Sequence, residues 1–427
     1  MLAARTASAD DHEDLAALRA RVDALEQKQR ELQLSGYAQV DFVPYRQSSQ
    51  DEVDGSTRQP LNEDRFTLRR ARLRVETDRG YISGAMDIDA NTVNGPQVRP
   101  WTADVTFKYP AAAPAATPRT DTTDLWDKPY LLVSAGLLYT PFGYEATETE
   151  IRRPFLERTT MSNALFPQSV DLGVRVLGGF KYVNYALGIM NGDPVGEKGF
   201  PGRDPNKSKD LVFRIGTVAR PTDCFKIAAG FSGLSGRGFH EGTPTTKDLL
   251  VWRDANADGI VEPEEIGVIP GSPSTPSENF NRFALGADLR VSIAIPVIGD
   301  LVVRGEIVRA KNLDRAVLVA DPVAASRDLR ESGFYVGVTQ ELTRWGIIGV
   351  RYDRYDPDSD RQDQQALHLV PVDASYRTWS FMAGARFYKA RIVMQYDLRQ
   401  NSIGRSDSGQ PTTLADDSFT IRAEVGF

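Results

Sequence analysis

"SFTIRAEVGF", residues 418–427, closes the chain and decides its architecture. Phe419, Ile421, Ala423, Val425 and Phe427 fall on one face. Ser418, Thr420, Arg422, Glu424 and Gly426 fall on the other. A period of two is the spacing of a β-strand, and a strand with one apolar and one polar face divides two surroundings. Residues 376–388 repeat the pattern, with Trp379, Phe381, Ala383, Ala385 and Phe387 opposed to Ser380, Gly384 and Arg386. In 390–399, Ile392, Met394, Tyr396 and Leu398 alternate with Arg391, Gln395, Asp397 and Arg399.

The connections between such segments alternate in length. "TDRG" (77–80), "PTD" (221–223), "TRW" (343–345) and "KA" (389–390) are tight. The segments 47–63, 191–208, 235–279, 312–332, 357–375 and 401–417 are long and polar. A soluble sandwich has short loops at both ends. Strand, long loop, strand, tight turn is instead the rhythm of a transmembrane antiparallel β-barrel, with long loops outside the cell and short turns in the periplasm. The expected fold is all-β, a barrel over residues 35–427 with about sixteen strands. The connection at 110–128 is unusually long for a turn.

Composition agrees with this reading. No run of eighteen apolar residues occurs, so no transmembrane helix is expected, whereas a barrel hides its apolar residues at every second position. The chain has 427 residues, with 58 acids against 51 bases and a net charge of -7, which argues against nucleic acid as a partner. Cys224 is the only cysteine, and His12, His240 and His368 are scattered, so neither a disulfide framework nor a Cys/His metal cluster is expected.

The N-terminus reads differently. Ala7-Ser8-Ala9 has the small-x-small form of a signal-peptidase site without the apolar segment before it, so residues 1–9 are either the remnant of an export signal or a disordered leader. From 10 to 34, Leu15, Leu18, Val22, Leu25 and Leu32 recur by threes and fours with Gln29 in the seam. That spacing predicts a periplasmic coiled-coil helix of a homo-oligomer, or one amphipathic helix packed on its own domain.

Several segments, in order, resemble the phosphate-selective porins of the O and P type, which are trimeric sixteen-stranded outer-membrane channels. They are "FTLRRARLRVE" (66–76), "AGLLYTPFGYE" (135–145), "LERTTMSNALFPQSVDLGVRVLG" (156–178), "YALGIMNGD" (185–193), "GFYVGVTQELTRWGIIGVRYDRYDPD" (333–358) and the closing Phe427. The resemblance implies a homotrimer in the bacterial outer membrane, passing small hydrophilic solutes, anions such as phosphate among them. It also implies that the third loop, 144–170, folds into the lumen and narrows it. The expected pore-lining cations are Arg70, Arg72 and Arg74 on the second strand and Arg152, Arg153 and Arg158 in the loop. Guanidinium groups cannot face hydrocarbon cheaply and match phosphate geometry well. The same arginines can instead pair with Glu76, Asp87, Asp89 and the loop acids Glu145, Glu148, Glu150 and Glu157. Where family members often carry a glutamine and a lysine, this chain has Leu137 and Tyr139.

A second motif lies in the long loop 235–279. In "DANADGIVEPEE" (254–265), Asp254, Asn256 and Asp258 occupy positions 1, 3 and 5 of a calcium loop, with Gly259 at the bend. The Ile260 carbonyl, Glu262 and Glu265 complete the oxygen set, so a structural Ca2+ ion is expected there. The helices that usually flank such a loop are missing. A plugged or structural surface barrel, and an outer-membrane hydrolase using Ser232 or Ser235 with His240, are the alternatives. The latter lacks the G-x-S-x-G turn of a serine nucleophile.

Overall fold

The structure, a computed structural model, describes residues 32–44, 54, 56–57, 65–111, 113, 129–192, 206–365, 368–402, 404–405, 411–413 and 416–427. The leader and the expected helix over 10–31 lie outside these residues. Among the described residues no helix is long and apolar enough to cross a membrane.

Sixteen antiparallel strands form one closed barrel. The first quarter is β1 (Leu32–Val43), β2 (Arg65–Asp78), β3 (Ile82–Asn91) and β4 (Gln97–Tyr109). Then come β5 (Tyr130–Tyr139), β6 (Val170–Phe180), β7 (Val183–Met190) and β8 (Asp210–Thr222). β9 (Phe225–His240), β10 (Glu278–Ile295), β11 (Gly299–Lys311) and β12 (Arg330–Leu342) follow. β13 (Gly346–Asp356), β14 (Tyr376–Phe387), β15 (Ala390–Gln400) and β16 (Ser418–Gly426) complete the wall. β1 closes the barrel: Ala38 pairs with Ala71 on one side and with Val425 on the other. Phe427 extends the seam, exchanging backbone hydrogen bonds of 3.0 and 3.1 Å with Gly36. Closure leaves no edge strand with unpaired backbone groups, the condition for a sheet surrounded by lipid.

The alternation of β16 sets inside and outside. Arg422 and Glu424 are 2% and 6% exposed, whereas Val425 and Phe427 are 49% and 62% exposed. The apolar face therefore points away from the barrel and the charged face into it. The reverse arrangement would place guanidinium groups in hydrocarbon at about 2–4 kcal/mol each near the midplane.

Three of the boundaries that differ from the sequence reading bear on the site and its loops. β1 begins at Leu32, so Leu32 and Leu34 are outward strand residues and not the end of the helix. Both satisfy a helical and an alternating period, and pairing with Thr77 and Val75 decides between them. β9 runs to His240 and β10 starts at Glu278, so the long fifth loop spans 241–277 and not 235–279. The third connection spans 140–169, Val170 being already in β6. All tight turns lie at one barrel end, where 110–129 is the long exception; at the other end 92–96 is the short one.

Candidate functional site

The third connection begins with a constraint on one residue. Gly143 has φ +65°, and a Cβ there would lie 2.0 Å from Glu306 Oε1. Only glycine allows the chain to turn inward so close to the β11 wall. Glu306 then accepts from the backbone N–H groups of Tyr144 and Glu145 at 3.3 and 3.1 Å.

Beyond this turn the segment is fastened to inward-facing arginines on β2, β11, β13 and β16. Glu145 accepts from Arg351 at 3.1 Å, Glu148 from Arg304 at 3.1 Å, and Glu150 from Arg72 at 2.6 Å. Glu157 takes three guanidinium groups: Arg69 at 2.7 Å, Arg70 at 3.0 Å and Arg422 at 2.7 Å. Burial pushes the carboxyl groups of Glu150 and Glu157 up, yet the surrounding arginines hold both below the ordinary carboxylate range. A short helix, α1 (Thr160–Leu165), is capped by the Thr159 hydroxyl, which accepts from Ser162 N–H at 3.3 Å.

The other face of the segment is apolar. Phe142, Ala146, Met161, Ala164, Leu165 and Phe166 pack on inward residues of the far wall, including Met190, Val212, Leu234, Val308, Tyr335 and Tyr355. Phe142 and Phe166 stack with ring centres 4.9 Å apart. This half of the lumen is therefore filled. The space left beside it is a polar cavity of about 410 Å³ against β1, β2 and β13–β16, toward the long-loop end. Six cations line it (Arg65, Arg69, Arg158, Arg351, Arg399 and Arg422), against the four carboxylates of Asp41, Glu157, Asp353 and Asp397.

The six expected arginines are distributed as follows. Arg70, Arg72 and Arg74 face the lumen, and each is ion-paired. Arg70 pairs with Glu157, Arg72 with Glu150 and with Asp89 at 3.2 Å, and Arg74 with Asp87 at 2.8 Å and Glu76 at 2.7 Å. Arg72 also lies 4.1 Å over the Trp101 ring. Arg153 is buried and donates to the Glu148 carbonyl at 2.7 Å, while Arg152 is exposed. Arg158 donates to the Phe166 and Pro167 carbonyls at 2.8 Å, and burial with Arg153 nearby brings it down to about 10. Arg69 was not expected inside, because alternation with Arg70 places it outside. A bulge opposite Gln39 and Val40 skips it in the pairing, and two consecutive arginines reach Glu157. Leu137 pairs with Ala103 on β4, and the Tyr139 hydroxyl accepts from Trp101 Nε1 at 2.9 Å.

The fifth loop carries its acidic ring on an exposed two-stranded ribbon, Leu249–Trp252 against Ile266–Ile269. The Asp254 carboxylate accepts from Asp258 and Gly259 N–H at 3.2 and 2.9 Å, and Asp258 accepts from Ile260 N–H at 2.7 Å. Asn256 Nδ2 lies 3.1 Å from Asp258 and 3.5 Å from Glu262. Glu265 accepts from Trp252 Nε1 at 3.0 Å and from Ala255 N–H at 2.9 Å, and these bonds lower its pKa. The loop thus turns its oxygens toward its own centre. Among the described residues, however, no three His, Cys, Asp or Glu side chains gather into a metal cluster.

Ser232 lies inside the barrel, where its hydroxyl accepts from Gly143 N–H at 3.0 Å. His240 bonds Asp321 at 2.6 Å, and Ser235 is exposed on the strand between them.

No protein family's sequence pattern matches the chain, and no curated protein matches it. Solved structures do. The outer-membrane channel DcaP of Acinetobacter baumannii superposes with a TM-score of 0.56 at 11% identity, covering 93% of this chain and 97% of that one. The fold is that of outer-membrane channel barrels. OprB of Pseudomonas putida gives 0.53 at 10% identity, covering 96% of each chain. OmpT, an outer-membrane protein of Vibrio cholerae in its trimer form, gives 0.51 at 10% identity over 93% of this chain and 99% of that one.

Proposed function

We propose that the chain is an outer-membrane porin through which small hydrophilic solutes diffuse passively, with a weak preference for anions such as phosphate. The observation that carries this is the third connection held inside the barrel by four glutamates on wall arginines, with a polar cavity beside it. Six cations against four carboxylates in that cavity support anion preference. Most of the expected arginine ladder is occupied by carboxylates, so its contribution is to fasten the constriction. Arg69 and Arg399 are likewise paired, with Glu157 and Asp397, and Arg65, with no ion pair among the described residues, supplies the field. Reversal potential across a bilayer in a potassium chloride gradient tests the sign. Chloride preference is expected, and potassium preference overturns the anion reading. The filled half of the lumen favours a plugged structural barrel as the second reading, and absence of conductance steps over a wide salt range would establish it.

The assembly we infer is a homotrimer with the short turns and the N-terminal helix in the periplasm. In the same reading, residues 254–265 take a structural Ca2+ ion from outside the cell through Asp254, Asn256, Asp258, the Ile260 carbonyl, Glu262 and Glu265. The oxygen donors fit this ion by type and spacing, provided that Glu265 exchanges its bonds to Trp252 and Ala255 for the ion.

A further inference from the structure

The outer wall is not uniform. At the long-loop ends of β9–β14, six cations point outward: Arg237, Arg309, Lys311, Arg330, Arg354 and Arg377. Their sequence neighbours fix the direction. Arg282, the strand neighbour of Arg237's partner Asn281, is buried inside on Asp210, and Val308, Ala310, Glu331, Tyr355 and Thr378 are buried inside too. Measured along each strand, the cations stand about eight to twelve residues above the short-turn end. For tilted strands that is on the order of 20–30 Å, the upper edge of an apolar band about 25 Å tall.

These cations repel one another. Lys311 is the direct cross-strand partner of Arg330, and Arg354 that of Arg377. Like charges directly opposite destabilise a sheet. Three carboxylates answer four of them: Asp328 to Lys311 at 2.7 Å, Asp360 to Arg330 at 3.3 Å, and Asp373 to both Arg354 and Arg377. Among the described residues Arg237 and Arg309 have no carboxylate partner. On other strands the same rim is apolar, with Phe66, Val98, Leu172, Ile189 and Leu211 exposed.

Below the cations the wall has a groove. Gly305 faces outward between Leu289 and Val336. A hollow of about 430 Å³ opens there on the outer wall, flanked by Val291, Val303, Ile307 and Phe334. Arg309 lies four residues further up the same strand, about 13 Å along it. An anionic head and an apolar tail are thus accommodated on one line of the wall.

We propose that this surface binds the phosphorylated, acylated anchor of lipopolysaccharide, lipid A, with the rim cations on its phosphates and the groove on an acyl chain. The proposal rests on the placement of the barrel in an outer membrane. Charge complementarity selects the occupant: the groups in excess are guanidinium and ammonium, whose charge-assisted bonds suit phosphate.

Native mass spectrometry of the full chain in detergent tests it, using bisphosphorylated lipid A, its dephosphorylated form and inorganic pyrophosphate as probes. The phosphorylated lipid should be held about tenfold more tightly than the dephosphorylated form. Arg309→Gln with Arg330→Gln should remove that difference without lowering the melting temperature in lipid-free detergent. Arg309 has no carboxylate partner among the described residues and, at Arg330, relief of the repulsion with Lys311 offsets loss of the exposed pair with Asp360. If the cations served only to hold loops, the melting temperature would fall and lipid retention would not change. Val336→Trp, which fills the groove from outside, should weaken both lipids. Equal retention of both lipids by the parent, unchanged retention by the double variant, or displacement of lipid A by equimolar pyrophosphate overturns the proposal. Absence of the parent from the outer-membrane fraction would instead overturn the placement, a result read separately from binding in detergent.

Discussion

At Gly143 one hydrogen atom in place of a side chain decides where thirty residues go. A methyl group would meet Glu306 at 2.0 Å, on a backbone already at φ +65°. Gly143→Ala should cost about 1–3 kcal/mol at this turn and expose 144–169 to protease added from the long-loop side. Unchanged protection would show that the turn tolerates a side chain. Arg72 and Glu150 argue a second case, since both are at most 6% exposed at a separation of 2.6 Å. Arg72→Met should destabilise by about 3–5 kcal/mol by stranding buried carboxylates, and adding Glu150→Leu should recover part of it, since Asp89 stays without its guanidinium. A double variant no more stable than the single would show that the pair is not the unit. The pH dependence follows from the same contacts. Glu150 and Glu157 have folded pKa values below the ordinary 4.5, so their contribution is present above that value and is lost only as pH falls through the depressed ones. Protection of 144–169 from protease should therefore persist from pH 7 to about 4.5, and its loss between pH 6 and 5 would contradict the pairing. Lumen-facing arginines on β2 were legible from alternation, but Arg69 was not, because a bulge leaves no mark in a two-residue period.

The elements themselves were well announced. Strands β14, β15 and β16 follow the alternation residue by residue, and the turn at 343–345 is the one expected. What alternation could not reveal is the inside of the third connection. Phe142, Met161, Leu165 and Phe166 are apolar residues in a loop, with no period to say that they pack on the barrel's interior. Their partners on β7, β8, β9, β11 and β12 look like ordinary small or apolar lumen positions. Phe142→Ala should remove about 3–5 kcal/mol of packing and make the open-channel current noisier, whereas the same change at outward Phe381 should not. The fifth loop is the opposite case: the acidic spacing was plain, and the exposed ribbon carrying it was not. With Ca2+ present, 241–277 should resist protease, and Glu265→Gln should abolish that resistance while the barrel keeps its melting temperature. Equal cleavage of the parent with and without the ion would mean that the hydrogen bonds alone shape the loop.

On the scale of the whole molecule the barrel has two asymmetries, one inside and one outside. Inside, apolar packing occupies the side toward β5–β12, and in the proposed porin the solute path follows the polar cavity along β1, β2 and β13–β16. The narrow passage and its field are therefore set by the same few residues, and selectivity and conductance should change together. Reversing one cation in the cavity makes this testable. Arg65→Glu changes the local balance from six against four to five against five, without touching a glutamate of the constriction. The reversal potential in a potassium chloride gradient should move toward zero, and the conductance at low salt should fall more than at high salt, because counter-ions screen the field within about 10 Å at 0.1 M. Were the path instead through the β2 pairs around Arg72, the Arg65 change would leave both readings where they were, and Arg72→Met would shift them. Two substitutions at opposite depths of one wall thus separate a field at the mouth from a ladder along the strand.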